Sequence, residues 1–274
     1  MQLCTKFDTM HILITNDDGY QAKGIKSLVK IMKQYGDITV VAPKKHQSGM
    51  SMAVSLGAKP IAVKDLGTDE EGVHWYYVDG TPASCAKYAV DMLFADNKPD
   101  MIVSGINHGS NASTAMWYSG TIGAAREGAL AGLLSIAVSL DNMHRDADFT
   151  VVEQLLPGLL DKLMAMDIKK GSVVYNINFP DLPASEIKGV KICTQGCERW
   201  ENEFVRPQEL SALADVDIEE GESIYYMAGE VVEDERNSET TDNWANSHGY
   251  IAITPQDMDN THREEFNRLL PLFD

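Results

Sequence analysis

Residues 11–28, HILITNDDGYQAKGIKSL, open with an aliphatic run that stops at two adjacent aspartates and, after a glycine, continue as an amphipathic pattern. Ile12–Thr15 reads as a short apolar strand. Ile25, Leu28, Val29 and Met32 then fall at i, i+3, i+4 and i+7, one face of a helix. Strand, polar turn and helix in that order form the first unit of an α/β fold.

The rhythm repeats downstream. Residues 37–42, DITVVA, form a second strand ended by Pro43, and PKKHQSGMSMAV follows as a polar, glycine-containing loop at the sheet's edge. KPIAV (59–63) and VHWYYVDG (73–80) are β-branched and aromatic and predict a hairpin excursion. Cys85, Tyr88, Ala89 and Met92 fit a helical stripe, with Thr81 or Ser84 as cap. DMIVSGIN (100–107) is a buried strand, SGTIGAAREGALAGL (119–133) a small-residue helix and LSIAVSL (134–140) another strand. This alternation predicts an α/β fold with a doubly wound, mostly parallel sheet between helical layers. Beyond about residue 139 the pattern changes: TVVEQLLPGLLDKLMAM is a helix that Pro157 should kink, and GSVVYNINFP is a strand. VKICTQG, SIYYMAG and YIAITPQ are β segments between acidic loops such as DIEEGE and VVEDERNSETTDN.

Composition narrows the function. Apolar residues make up 44% and charged residues 23% of 274, an ordinary globular balance, and no apolar run reaches the ~18–20 residues of a membrane span. The start, MQLCTKFDTMHILIT, has no signal-peptide pattern, so a cytoplasmic location is expected. Cys4, Cys85, Cys193 and Cys197 are too scattered for a disulfide framework, and CTQGC lacks the second pair of a zinc set. The net charge of −18, from 41 acids and 23 bases, with no basic run, excludes a broad nucleic-acid surface. A small anionic substrate would need something local to reverse the sign of that field, as a divalent cation does.

In an open parallel sheet, ligands bind beyond the carboxyl ends of the strands. Four polar clusters follow predicted strands: Asn16-Asp17-Asp18-Gly19, Gln47-Ser48-Gly49, Ser104-Gly105-Ile106-Asn107 and Asp141-Asn142. Adjacent buried aspartates repel, and a cation holds both ionised. Oxygen donors favour Mg2+, Mn2+ or Ca2+ over zinc. Alternatively, Asp-Asp-Gly is only a turn that caps the next helix. Ser119, Gly120 and Thr121 open a helix whose free N–H groups and partial positive charge suit a phosphate, or they simply cap it.

ILITNDDGYQAKGI, VVAPKKHQSGMSMAVS, DGTPASCAKYAV, PDMIVSGINHGSN, YSGTIGAAREGA and TDNWANSHGYIAITP together resemble, in order, the motifs of the stationary-phase survival protein SurE family of metal-dependent 5'-nucleotidases. The resemblance implies a Rossmann-like core over about 10–140, with a β-hairpin extension, and a single domain across 1–274. Its remainder, about 141–274, would hold further core elements and a β-rich oligomerisation extension. It implies that Asp17, Asp18, Ser48 and Asn107 coordinate one divalent cation per subunit, and that nucleoside 5'-monophosphates are substrates, with 3'-nucleotides or short polyphosphate as further ones. It also implies homodimers or homotetramers that exchange C-terminal segments. Two positions depart from the motifs: Ser113 stands where the family usually has glycine, and Arg126 where it has a smaller or apolar residue.

The expected chemistry is phosphomonoester hydrolysis. The cation would bind a phosphate oxygen and a water, and Asp17 or Asp18 would accept the proton. Ser119, Gly120, Thr121 and Asn111 would grip the other phosphate oxygens, and Asn16 would orient the aspartates. A calcium-dependent nucleoside hydrolase is one rival, but its DxDxxxDD pattern is absent. A non-catalytic nucleotide sensor or phosphoacceptor domain is another. Its acceptor aspartate belongs at the end of the middle strand, where this chain has SGIN.

Overall fold

A computed structural model describes residues 10–57, 59–166, 170–206 and 219–273. Cys4, the first nine residues and part of DIEEGE lie outside the described residues. The chain begins β1 (Met10–Thr15), α1 (Lys23–Met32), β2 (Gly36–Pro43), β3 (Val63–Thr68), β4 (His74–Val78), α2 (Pro82–Tyr88) and β5 (Met101–His108). It continues α3 (Gly120–Leu130), β6 (Leu134–Leu140), α4 (Thr150–Met164), β7 (Val173–Phe179) and β8 (Val190–Ile192). Last come the short strands β9 (Glu198–Glu201), β10 (Phe204–Val205), β11 (Tyr226–Met227) and β12 (Glu230–Glu233), then α5 (Asp242–Ser247), β13 (Ile251–Asp257) and α6 (Arg263–Phe273).

The main sheet has the order β3-β4-β2-β1-β5-β6-β7-β13-β8. Every pairing from β4 to β7 is parallel, while β3 runs antiparallel to β4 and β13 antiparallel to β7. Alternation along β1 explains the layers. Ile12 and Ile14 face Ile25 and Leu28 of α1 and Leu156 and Leu160 of α4; Leu13 faces Cys85 and Ala86 of α2 and Ala124 of α3. The chain leaves β1 toward β2 on one side and later returns to β5 on the other. The β1/β5 seam is therefore the topological switch point, and the crevice beyond it is the natural ligand site.

The doubly wound class stands, with local corrections. The hairpin is an extension of the main sheet, because β4 pairs parallel with β2. Its first strand starts only at Val63, beyond Pro60, which has no N–H to give a ladder. Thr81 is the cap of α2, accepting from Ser84 N. A π-helical turn over Ala89–Leu93 follows and rotates Met92 off the expected stripe, leaving it 68% exposed. Helix α4 runs on through Pro157. Of the late β segments, VKICTQG and YIAITPQ join the main sheet as β8 and β13, whereas SIYYMAG supplies β11 of one of two separate ribbons, β9 with β12 and β10 with β11. Helix α6 was not expected from the sequence pattern; none of its residues is buried.

The close approach of α1 to β5 depends on Gly24. A Cβ there would sit 2.1 Å from the Ile106 carbonyl oxygen. Gly24→Ala should therefore lower the stability of the fold by about 1–3 kcal/mol, read as a shifted urea midpoint at unchanged slope.

Candidate active site

The turn after β1 is fixed before any ligand is considered. Asn16 Nδ2 donates to the Gly19 carbonyl at 3.0 Å and Gly19 N–H donates back to Asn16 Oδ1 at 3.1 Å. Gly19 takes φ +101°, a left-handed conformation open to glycine. The two aspartates between them are thereby held at the sheet's carboxyl edge, and Gln47 N–H ties the following loop to the Asp17 carbonyl at 2.7 Å.

Asp17 is 3% exposed and lies against the start of α3. Thr121 donates to it twice, from Oγ1 to Oδ1 at 2.9 Å and from N–H to Oδ2 at 3.2 Å. The helix terminus stabilises this carboxylate, yet burial, and then the charge of Asp18, push its pKa up to about 6. Asp18 meets two imidazoles: His108 Nδ1 lies 2.8 Å from Oδ2, and His46 Nδ1 3.2 Å from Oδ1. Among the described residues, no lysine or arginine pairs with either aspartate.

Asn107 reaches the cluster because β5 carries one extra residue against β6 between Ser104 and Asn107, a bulge that re-aims the strand end. Its Nδ2 donates to the Gly109 carbonyl at 2.8 Å, which turns Oδ1 toward Thr121, 3.4 Å from the hydroxyl. Ser48 is exposed and joins through His46, whose Nε2 is 2.8 Å from Ser48 Oγ. At the helix opening, Ser119 Oγ accepts from Ile122 N–H at 3.1 Å. With Thr121 N–H directed to Asp17, the Gly120 N–H remains for a ligand. A Cβ on Gly120 would lie 3.0 Å from Asp17 Cβ, so glycine is what lets the helix start and the carboxylate meet.

Hydrogen bonds thus join Asp17, Thr121 and Asn107, and Asn107 Nδ2 reaches the His108 carbonyl at 3.3 Å, which links them to Asp18; His46, bonded to Ser48, approaches the other side of Asp18. Asn111 lies elsewhere. Its Nδ2 donates to Ser139 Oγ at 2.8 Å, and its backbone is clamped by Asn178 and Asn176 of β7, so its amide is turned into the interior. Asp141 is likewise apart, facing Asp181. The histidines at 46 and 108 were missed in the sequence, although each stands within two residues of a proposed ligand. The donor set fits a hard divalent cation: two carboxylates without a lysine or arginine partner among the described residues, an amide oxygen and a hydroxyl. Among the described residues, no three His, Cys, Asp or Glu side chains are grouped to hold a metal, so the amide and hydroxyl oxygens are needed.

The arrangement is an oxygen-lined corner set against a helix N-terminus at the carboxyl edge of a doubly wound sheet. The family profile described as "Survival protein SurE" matches residues 12–202. A 5'-nucleotidase SurE from Bacteroides thetaiotaomicron is 40% identical over 253 residues, 91% of each chain. One from Cytophaga hutchinsonii is 37% identical over 259 residues, 94% of this chain and 95% of the relative. The crystal structure of the SurE protein from Aquifex aeolicus superposes with a TM-score of 0.78 at 30% identity, covering 96% of this chain and all of that one. The chain belongs to the SurE family.

The acidity of Asp17 sets a pH dependence. The folded chain keeps this proton to higher pH than the unfolded chain does. In EDTA, its contribution to stability is therefore full below about pH 4 and lost as pH rises through about 6, a change of about 3 kcal/mol. Urea denaturation of the wild type and Asp17→Asn should show this slope in the wild type only.

Proposed function

We propose that the chain hydrolyses nucleoside 5'-monophosphates to nucleoside and phosphate, with one divalent cation, Mg2+ or Mn2+, held by Asp17, Asp18, Asn107 and Ser48. The observation that carries this reading is buried Asp17, held by the N-terminus of α3, beside partly buried Asp18, neither with a lysine or arginine partner among the described residues. The 5'-nucleotidase activity by which the relatives are named supports the same reaction. A cation held there supplies charge neutralisation for the phosphoryl group and lowers the pKa of a water.

The protein's own residues do the rest. Asn16 and Gly19 lock the turn that presents both carboxylates. Thr121 fixes Asp17 through two hydrogen bonds. The Gly120 N–H and the positive end of α3 receive a phosphate oxygen and favour the charge that develops on it. Ser119 keeps the helix start in place as its cap. Asn111 ties the loop after β5 to Ser139 and β7.

No helix among the described residues is long and apolar enough to cross a membrane. We infer a cytoplasmic enzyme that assembles as a homodimer or homotetramer through its C-terminal part. Phe266, Leu269, Leu270 and Phe273 on α6 and Trp200 and Val231 on the β9–β12 ribbon are exposed apolar side chains for which a second copy is the natural cover.

Two outcomes are expected. Phosphate release from a panel of nucleoside monophosphates should stop in EDTA and return with Mg2+ or Mn2+, while Asp18→Asn loses roughly a hundredfold or more in kcat/KM. Release of reducing sugar in place of phosphate would identify a nucleoside hydrolase instead. By light scattering, Leu269→Glu with Phe273→Glu should shift the assembly toward monomer; an unchanged mass would remove α6 from the interface.

A further inference from the structure

We propose that His108 is a positioning residue for the cation site and that His46, on the other oxygen of the same carboxylate, opposes it; this rests on the cation reading above. A carboxylate only accepts, so His108 Nδ1, 2.8 Å from Asp18 Oδ2, carries its proton. The backbone N–H of His108 donates to the same oxygen at 3.3 Å. The side chain is only 11% exposed and is set edge-on against Phe149, ring centroids 5.0 Å apart. Its Nε2 has no hydrogen-bond partner, so no other side-chain bond competes with Asp18 for the ring's orientation. A packed imidazole that donates to Oδ2 stops the carboxylate from rotating and leaves Oδ1 as the oxygen for a ligand.

His46 has the opposite character. Its side chain is 62% exposed, and it bridges Asp18 Oδ1 at 3.2 Å and Ser48 Oγ at 2.8 Å. Nε2 is at hydrogen-bond distance from the serine hydroxyl while Nδ1 approaches the carboxylate, so the ring lies between Ser48 and Asp18. The imidazole therefore stands between two of the proposed ligands. A cation that draws on both must displace it, and its exposure lets it swing away. The population in which His46 keeps the bridge is withheld from binding and lowers the apparent affinity.

The two histidines should affect binding with opposite signs. Mn2+ titration calorimetry near pH 8, above the ordinary imidazole range of about 6.5, compares the wild type with His108→Leu, His108→Asn, His46→Ala and Asp18→Ala. His108→Leu should weaken binding roughly 10- to 100-fold. His108→Asn, which keeps an N–H donor at that position, should recover most of the loss. His46→Ala should tighten binding by about two- to tenfold. Melting curves in EDTA identify any variant that fails to fold, and His108→Asn still decides the matter if His108→Leu does. Wild-type affinity in His108→Leu, no recovery in His108→Asn, or shifts of the same sign at both positions overturns the proposal. No Mn2+ binding by the wild type, or undiminished binding by Asp18→Ala, overturns the cation reading itself.

Discussion

The carboxylate of Asp17 has to be buried at the switch point and still have its charge answered, and much of the surrounding structure follows from that need. An isolated buried carboxylate costs several kcal/mol, more with a second one beside it. The answer here is the first turn of α3, brought close enough for Thr121 to donate from both its hydroxyl and its backbone. That approach requires glycine at 120 and a cap at 119. It also places Asn107 and Thr121 within reach of one another, so that oxygens from three separate elements converge.

The parts of the fold visible in the sequence are those where burial alone dictates the pattern. β1, β5 and β6 are covered on both faces and read as continuous apolar runs, and the polar residues directly after them mark the edge where ligands bind. What escaped detection depends on partners far along the chain. Nothing near Asn111 announces that Asn176 and Asn178 will clamp it. His108 becomes a carboxylate partner only because β5 bulges just before it. Helix α6 contributes no buried side chain, so it left no core stripe to recognise.

Both departures from the family's motifs are absorbed by packing. Ser113 adopts φ +56°, the conformation that favours glycine, and its N–H is held at 3.0 Å by Asp242 Oδ1. That buried carboxylate also accepts from Gly196 and Asn243 N–H and from the Thr254 hydroxyl, so one side chain fastens four segments. Arg126 is nearly buried, lies 5.0 Å from the Trp117 ring centroid and reaches Gln256 at 3.5 Å. Its neighbour Glu127 pairs instead with Lys87, which leaves the guanidinium as a packing element.

The bonds that hold Asp17 and Asp18 join residues 104 and 90 positions apart. Closing such long loops is costly in chain entropy and comes late in folding. During synthesis, the ribosome must pass Thr121 before Asp17 can find its donors, and until then Asp17 titrates in water like any other aspartate. Completion of the fold is therefore accompanied by proton uptake between about pH 4 and 6 in the absence of metal, so that the chain's arrival at its native state can be followed with an acid–base indicator.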